Sequence, residues 1–158
     1  KVIREVFENV VLAEHFPKTA IDIFIEVLQA DGGTRVAGIT AASVALANAG
    51  IPMKDMVTGI AAGKIDGQMA IDFGKYEDNF GESDIPMAFS LRTGEMLLFQ
   101  MDGMLTKEEI GMAIDMAMEG AKKVNELQKA ALRELYATKE VEGAVPAEQP
   151  TEGNASEP

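Results

Sequence analysis

The feature that most constrains this chain is a change of hydrophobic period across a glycine break. Ile21, Ile23, Ile25 and Val27 alternate with Asp22, Phe24, Glu26 and Leu28, the period of two that sends successive side chains to opposite faces of a strand. Asp31-Gly32-Gly33 interrupts the run. From Thr34 to Ala49 the pattern becomes helical, with Val36, Ile39, Ser43/Val44 and Ala47 along one face. Small residues fill that helix, so it can approach a sheet closely. A strand that turns into an apolar helix buries both elements only by layering one on the other.

The remaining segments extend the same plan. Residues 1–14 carry Val2/Ile3, Val6/Phe7, Val10/Val11 and Ala13 at helical spacing, which predicts a helix ending before Pro17. Gly50-Ile51-Pro52 stops the second helix, and Val57–Ile65, Met69–Phe73, Ile85–Leu91 and Met96–Met101 read as strands. Asp66-Gly67 is a hairpin signal between the first two of these strands. Gly74 to Ser83 reads as a polar loop. Thr106-Lys-Glu-Glu109 is a capping box opening a long last helix. Its expected inward face is Ile110, Ala113/Ile114, Ala117, Ala121, Val124, Leu127/Gln128, Ala131 and Leu135. The order predicts one α+β domain over residues 1–139, a mixed sheet layered with helices.

The two ends differ in character. Lys1-Val2-Ile3-Arg4-Glu5 has no initiator Met, no N-cap residue and no apolar core of a signal peptide. It reads as the interior of a helix whose natural start lies upstream. Residues 140–158 hold five Glu and three Pro with no Lys or Arg, too little apolar surface to offset ordering entropy, so a disordered acidic tail is expected there. Without it the charge balance is 21 acidic against 14 basic, compared with −12 for the whole chain.

Composition removes several classes. With no cysteine there is no disulfide scaffold and no thiol nucleophile, and one histidine forbids a His–His zinc pair. No apolar run reaches the ~20 residues of a membrane span, and a cytoplasmic home is expected. The acidic balance by itself argues against holding nucleic acid, because phosphate backbones are gripped by Lys and Arg. The lone His15 sits where a helix ends, and the ten Met fall at packing positions.

Two stretches could carry chemistry. In Asp31-Gly32-Gly33-Thr34-Arg35 the glycines permit a tight turn, the helix N-terminus offers unpaired N–H groups, and Thr34 and Arg35 add a hydroxyl and a planar fork. That combination suits an anion. It equally suits a plain turn with Thr34 as cap and Arg35 in a surface ion pair. The second stretch, Asp72 to Asp84, holds five carboxylates (Asp72, Glu77, Asp78, Glu82, Asp84) with Lys75 as its only base. Such crowding binds a hard cation or raises one carboxyl's pKa to make a general acid. A solvated acidic loop is the alternative. Asp78 is placed on the loop and Asp84 at the start of a strand.

Lys1-Val-Ile-Arg-Glu, Phe16-Pro-Lys-Thr-Ala-Ile-Asp-Ile, Leu28-Gln-Ala-Asp-Gly-Gly-Thr-Arg, Ala47-Asn-Ala-Gly-Ile-Pro-Met and Glu77-Asp-Asn-Phe-Gly-Glu-Ser-Asp84 together resemble the RNase PH family. Gln100-Met-Asp-Gly103 is more similar to the catalytic subunits of its archaeal exosome branch than to bacterial RNase PH. The likeness runs from Lys1 to about Tyr136. It implies an RNase PH-like fold whose N-terminal half precedes Lys1, and 3′→5′ phosphorolysis, in which inorganic phosphate cleaves the terminal phosphodiester of RNA and releases a nucleoside diphosphate. By resemblance Gly33, Thr34 and Arg35 bind phosphate. By the same resemblance Asp84 and Asp78 match the two acidic catalytic positions, Asp84 foremost, as general acid or as ligand of a magnesium ion. Polynucleotide phosphorylase, a relative, has a lysine where this chain has Pro86. Implied partners are RNA, a homologous subunit in a hexameric ring, and RNA-binding cap subunits, with no membrane. The competing reading is a non-catalytic ring subunit that scaffolds and threads RNA; retention of Thr34, Arg35, Asp78 and Asp84 favours the enzyme.

Overall fold

A computed structural model describes residues 1–143. Four antiparallel strands run side by side in the order β2 (Gln68–Ile71), β1 (Val57–Ile65), β3 (Ser83–Ser90) and β4 (Glu95–Phe99), with β5 (Asp102–Gly103) also pairing β3. Helices α1 (Val2–Glu8) and α2 (Thr34–Asn48) cover one face and α4 (Lys107–Gly143) the other. The α+β layering is as expected. The sheet is antiparallel at every described pairing rather than mixed; short turns join β1 to β2 and β3 to β4, and such turns can link only antiparallel neighbours.

Period-two alternation decides which residues meet which helix. Ile60 and Ala62 of β1 and Ile85, Met87 and Phe89 of β3 pack with Ala113, Ala117 and Ala121 of α4. On the other face Val57 and Ala88 join Val6, Phe7 and Val10 from the N-terminal segment and Ile39, Ala42 and Leu46 from α2. The capping box forms in both directions: the Thr106 N–H donates to Glu109 Oε2 at 2.8 Å, and the Glu109 N–H to Thr106 Oγ1 at 3.2 Å.

Where β2 no longer flanks β1, helix α2 completes the strand's hydrogen bonding. The Val57 N–H donates to Ser43 Oγ at 2.8 Å and the Gly59 N–H to Thr40 Oγ1 at 2.9 Å. Gln128 of α4 reaches the same edge, its Nε2 donating to Val57 O at 3.0 Å and Thr40 O at 3.1 Å. Thr58 and Asn125 close this buried network on the Gln128 oxygen at 2.8 and 3.2 Å. No buried side-chain polar atom among the described residues lacks a partner.

Several expectations need correction. The first helix stops at Glu8, not before Pro17, because Val10–Leu12 pair their backbone with Pro52–Lys54. Residues 21–28 form no ladder among the described residues, although exposure still alternates: Ile23 and Ile25 are 36% and 39% exposed, Phe24 and Leu28 88% and 94%. An alternating pattern sets faces, but a strand also needs a neighbour. The 74–83 loop contains a short helix, α3 (Lys75–Phe80), and β5 has no counterpart among the expected strands. On α4, Leu127 is 69% exposed and Asn125 and Gln128 are buried instead, since the end of β1 presents polar groups to that helix. Helix α4 also carries on past Glu140 to Gly143; the rest of the expected acidic tail, 144–158, lies outside the described residues.

Candidate functional site

The glycine turn is held in a conformation few residues adopt. Gly32 and Gly33 have φ of 79° and 57°, in the left-handed region where a Cβ is strained. A Cβ on Gly32 would also stand 2.5 Å from Phe73 O and 2.8 Å from the Gly74 carbonyl carbon. The turn therefore presses against the entry to α3, and Asp31 Oδ1 accepts the Lys75 N–H there at 3.3 Å. Gly33 is the N-cap of α2 and no side chain caps that end. Thr34 is the first helical residue rather than the cap, so the first-turn N–H groups receive no side-chain acceptor.

Arg35 follows on the first turn, exposed. It makes no ion pair among the described residues, and its Nη1 donates to Gln100 Oε1 at 2.6 Å. Gln100 sits between β4 and β5, its own N–H donating to Pro86 O at 3.1 Å. A residue from the second helix is thus tied to the far edge of the sheet, two positions from Asp84.

Asp84 is the second residue of β3, paired with Gly63 on one side and Asp102 on the other. Strand alternation puts it on the α2 face together with Ala88. Directly opposed residues share a face with Cβ atoms ~5 Å apart, so Asp102 presents a second carboxylate beside Asp84. Like charges so placed repel one another, an arrangement suited to binding a cation. Glycine is required at Gly63: a Cβ would lie 2.0 Å from Ser83 O and 2.8 Å from the Phe73 ring.

On the opposite face the charges are structural. Lys64 Nζ stands 2.7 Å from Glu109 Oε1 and 3.4 Å from Glu82 Oε2, while Glu82 Oε1 accepts the Gly67 N–H at 2.7 Å. The Lys64 hydrogen bond, then the Thr106 N–H, hold the Glu109 carboxyl below its ordinary range. The Glu109 hydrogen bond raises Lys64 in turn.

The acidic stretch therefore divides. Glu82 braces the hairpin, Glu77 and Asp78 lie on α3, and Asp84 alone enters β3. Asp78, expected on a loop, falls on the helix; its side chain is outside the described part of the structure. Among the described residues no three acidic or histidine side chains gather as a metal cage. Magnesium needs only one or two carboxylates and completes its shell with water, and the Asp84–Asp102 face offers oxygen donors of that kind. Gly33, Thr34, Arg35 and Asp84 are brought to one face as the sequence suggests. Gln100 and Asp102 are not among the site residues that the sequence points to; their signals are a polar pair following an apolar strand and their place in the Gln100-Met-Asp-Gly103 segment that shares the family resemblance.

Comparison with known proteins gives two matches to one family: "3′ exoribonuclease family, domain 1" over residues 1–52 and its domain 2 over residues 55–120. The exosome complex component Rrp41 of Thermococcus kodakarensis is 57% identical over 145 residues, 90% of this chain and 58% of that protein. Its counterpart in Thermoplasma volcanium is 53% identical over 143 residues, again 90% of this chain and 58% of the relative. The chain thus spans a little over half the length of these relatives. A crystal structure of rice (Oryza sativa) Rrp46 superposes with a TM-score of 0.78 at 21% identity, covering 83% of this chain and 62% of that one, a likeness of fold.

Proposed function

The chain belongs to the 3′ exoribonuclease (RNase PH) family, and from that premise we propose that it carries the phosphate and acid groups of a phosphate-dependent 3′→5′ exoribonuclease. The observation that carries this reading is the 2.6 Å bond between Arg35 and Gln100, which draws the glycine turn towards the strand that bears Asp84. Phosphorolysis must bring two anions together, so positioning and charge neutralisation are the principal tasks.

The uncapped end of α2 and Arg35 bind inorganic phosphate, with the hydroxyl of Thr34 at the same turn. A hydrogen bond to a charged group contributes about 1.5–3 kcal/mol and the helix dipole about 0.3–1 kcal/mol, enough together for a co-substrate at millimolar level. An oxygen of that phosphate attacks the terminal phosphorus of RNA, the bond to the 3′-oxygen breaks, and a nucleoside diphosphate leaves. Asp84 gives its proton to the departing 3′-oxygen. Where magnesium binds, the Asp84 carboxylate would hold it in place of that proton, with Asp78 by the family resemblance and Asp102 across the strand pair as further oxygen donors, and the ion would offset charge on the leaving group.

With 26 acidic against 14 basic residues, RNA is gripped chiefly by other surfaces. The proposed setting is a hexameric exosome ring with a homologous RNase PH-like subunit and RNA-binding caps. The test is to incubate an oligoribonucleotide with the full-length protein in its assembled complex, with and without phosphate, and identify the products. Nucleoside diphosphates that appear only with phosphate are expected. Monophosphates released by water overturn phosphorolysis, and no turnover in either condition identifies a scaffold subunit.

A further inference from the structure

We propose that Gln100 is the positioning residue for Arg35, fixing its guanidinium in a phosphate-binding pose without cancelling its charge. This rests on the reading of Arg35 as a phosphate ligand. Arg35 is exposed on the first turn of α2 and has no ion pair among the described residues. A long side chain in that position samples many rotamers unless something holds it. The bond from Nη1 to Gln100 Oε1, 2.6 Å long across 65 residues of sequence, is the hold.

Gln100 is itself anchored through its main chain. The β3–β4 ladder ends at the pair Met87–Phe99, and β5 resumes pairing with β3 at Asp84–Asp102. Between them stands Pro86, which has no N–H to continue a ladder, and its carbonyl accepts the Gln100 N–H at 3.1 Å. Gln100 is thus held at the break between two paired segments, on the face that carries Asp84.

The chemistry of the amide matters. Guanidinium has five N–H donors, and a neutral acceptor occupies one of them while leaving the full positive charge and the other donors for an anion. A carboxylate at the same reach would pair with the guanidinium and compete with phosphate. Glutamine and glutamate at this position would therefore orient Arg35 similarly and differ in the charge left to offer.

The test measures phosphorolysis in the full-length protein within its complex, varying phosphate at saturating RNA. Gln100→Leu is expected to raise KM for phosphate about fivefold to tenfold with kcat within about twofold. Gln100→Glu, which keeps side-chain length and a hydrogen-bond acceptor, is expected to raise it at least as much. Arg35→Ala should lower kcat/KM for phosphate, and adding Gln100→Leu to it should change that value by less than about twofold, since coupled residues are non-additive. Wild-type KM in both Gln100 variants, or a Gln100→Leu effect that multiplies in full on the Arg35→Ala background, overturns the positioning role while leaving Arg35 as phosphate ligand. Wild-type phosphate dependence in Arg35→Ala overturns both. If Gln100→Leu fails to fold, Gln100→Met, which keeps the side-chain length and removes the amide acceptor, decides by the same KM readout.

Discussion

Asp84 and Gly63 face one another across β1 and β3, and each depends on being what it is. Replacing Asp84 with Ala should abolish RNA turnover while assembly, followed by gel filtration, is unchanged. Gly63→Ala puts a methyl group 2.0 Å from Ser83 O, so the strands must separate beside Asp84. We expect a lower melting temperature and reduced turnover together, which a thermal melt and an activity assay on the same preparation would check. The turn at Gly33, Thr34 and Arg35 and the strand position of Asp84 are legible in the sequence because local residues set them, while the roles given to them come from the family resemblance. Asp102 is not, since its place opposite Asp84 is set by the register of β3 against β5, and Gln100 is not, since its contact with Arg35 joins two distant segments of the chain. One sequence specifies neither relation directly.

Among the elements, α2 has a second task beyond presenting its N-terminus. Ser43 is fully buried and accepts the N–H of Val57, itself fully buried. Ser43→Ala leaves that donor without its acceptor, and a chemical-denaturation series should show a loss of about 1–3 kcal/mol. The capping box of α4 has a pH signature. Its Glu109 is held below the ordinary carboxyl value by Lys64 and by the Thr106 N–H, so its contribution is present above about pH 4.5 and is lost as pH falls through its lowered folded value. Lys64 is raised above 10.5, so its share is present below that value and is lost as pH climbs through the folded one. Melting temperatures from pH 6 down to 3 should therefore fall less steeply in Glu109→Gln than in the parent. The strands β1, β3 and β4 are readable from alternation and the start of α4 from Thr106 and Glu109. Helix α3 is hidden, because six residues between glycines carry too little periodicity to announce a helix.

For the whole molecule, the outstanding feature is residues 21–28, which alternate in exposure yet form no ladder among the described residues. Phe24 and Leu28 are almost wholly exposed, and a row of unpaired backbone groups beside apolar side chains is a ready template for another strand. Hydrogen exchange should be fast for these amides in the 158-residue chain and slowed by orders of magnitude for the same residues in the assembled complex. Equal exchange in both would show that no strand pairs there. The expected strand is thus right in its alternation but has no ladder among the described residues, because alternation describes one segment and pairing describes two.

The hydroxyls of Thr40 and Ser43 on the bare stretch of β1 bear on how such a molecule associates. A helix that takes up the edge hydrogen bonds of a strand seals that flank against any incoming chain. Further strands can join this sheet only beyond β2 or along β4 and β5, and the second of these borders is where Gln100 and Asp102 stand. Pairing along the Val57–Gly59 stretch of β1 is closed off by two small side chains, which leaves the border along β4 and β5 as a place where a neighbour can dock.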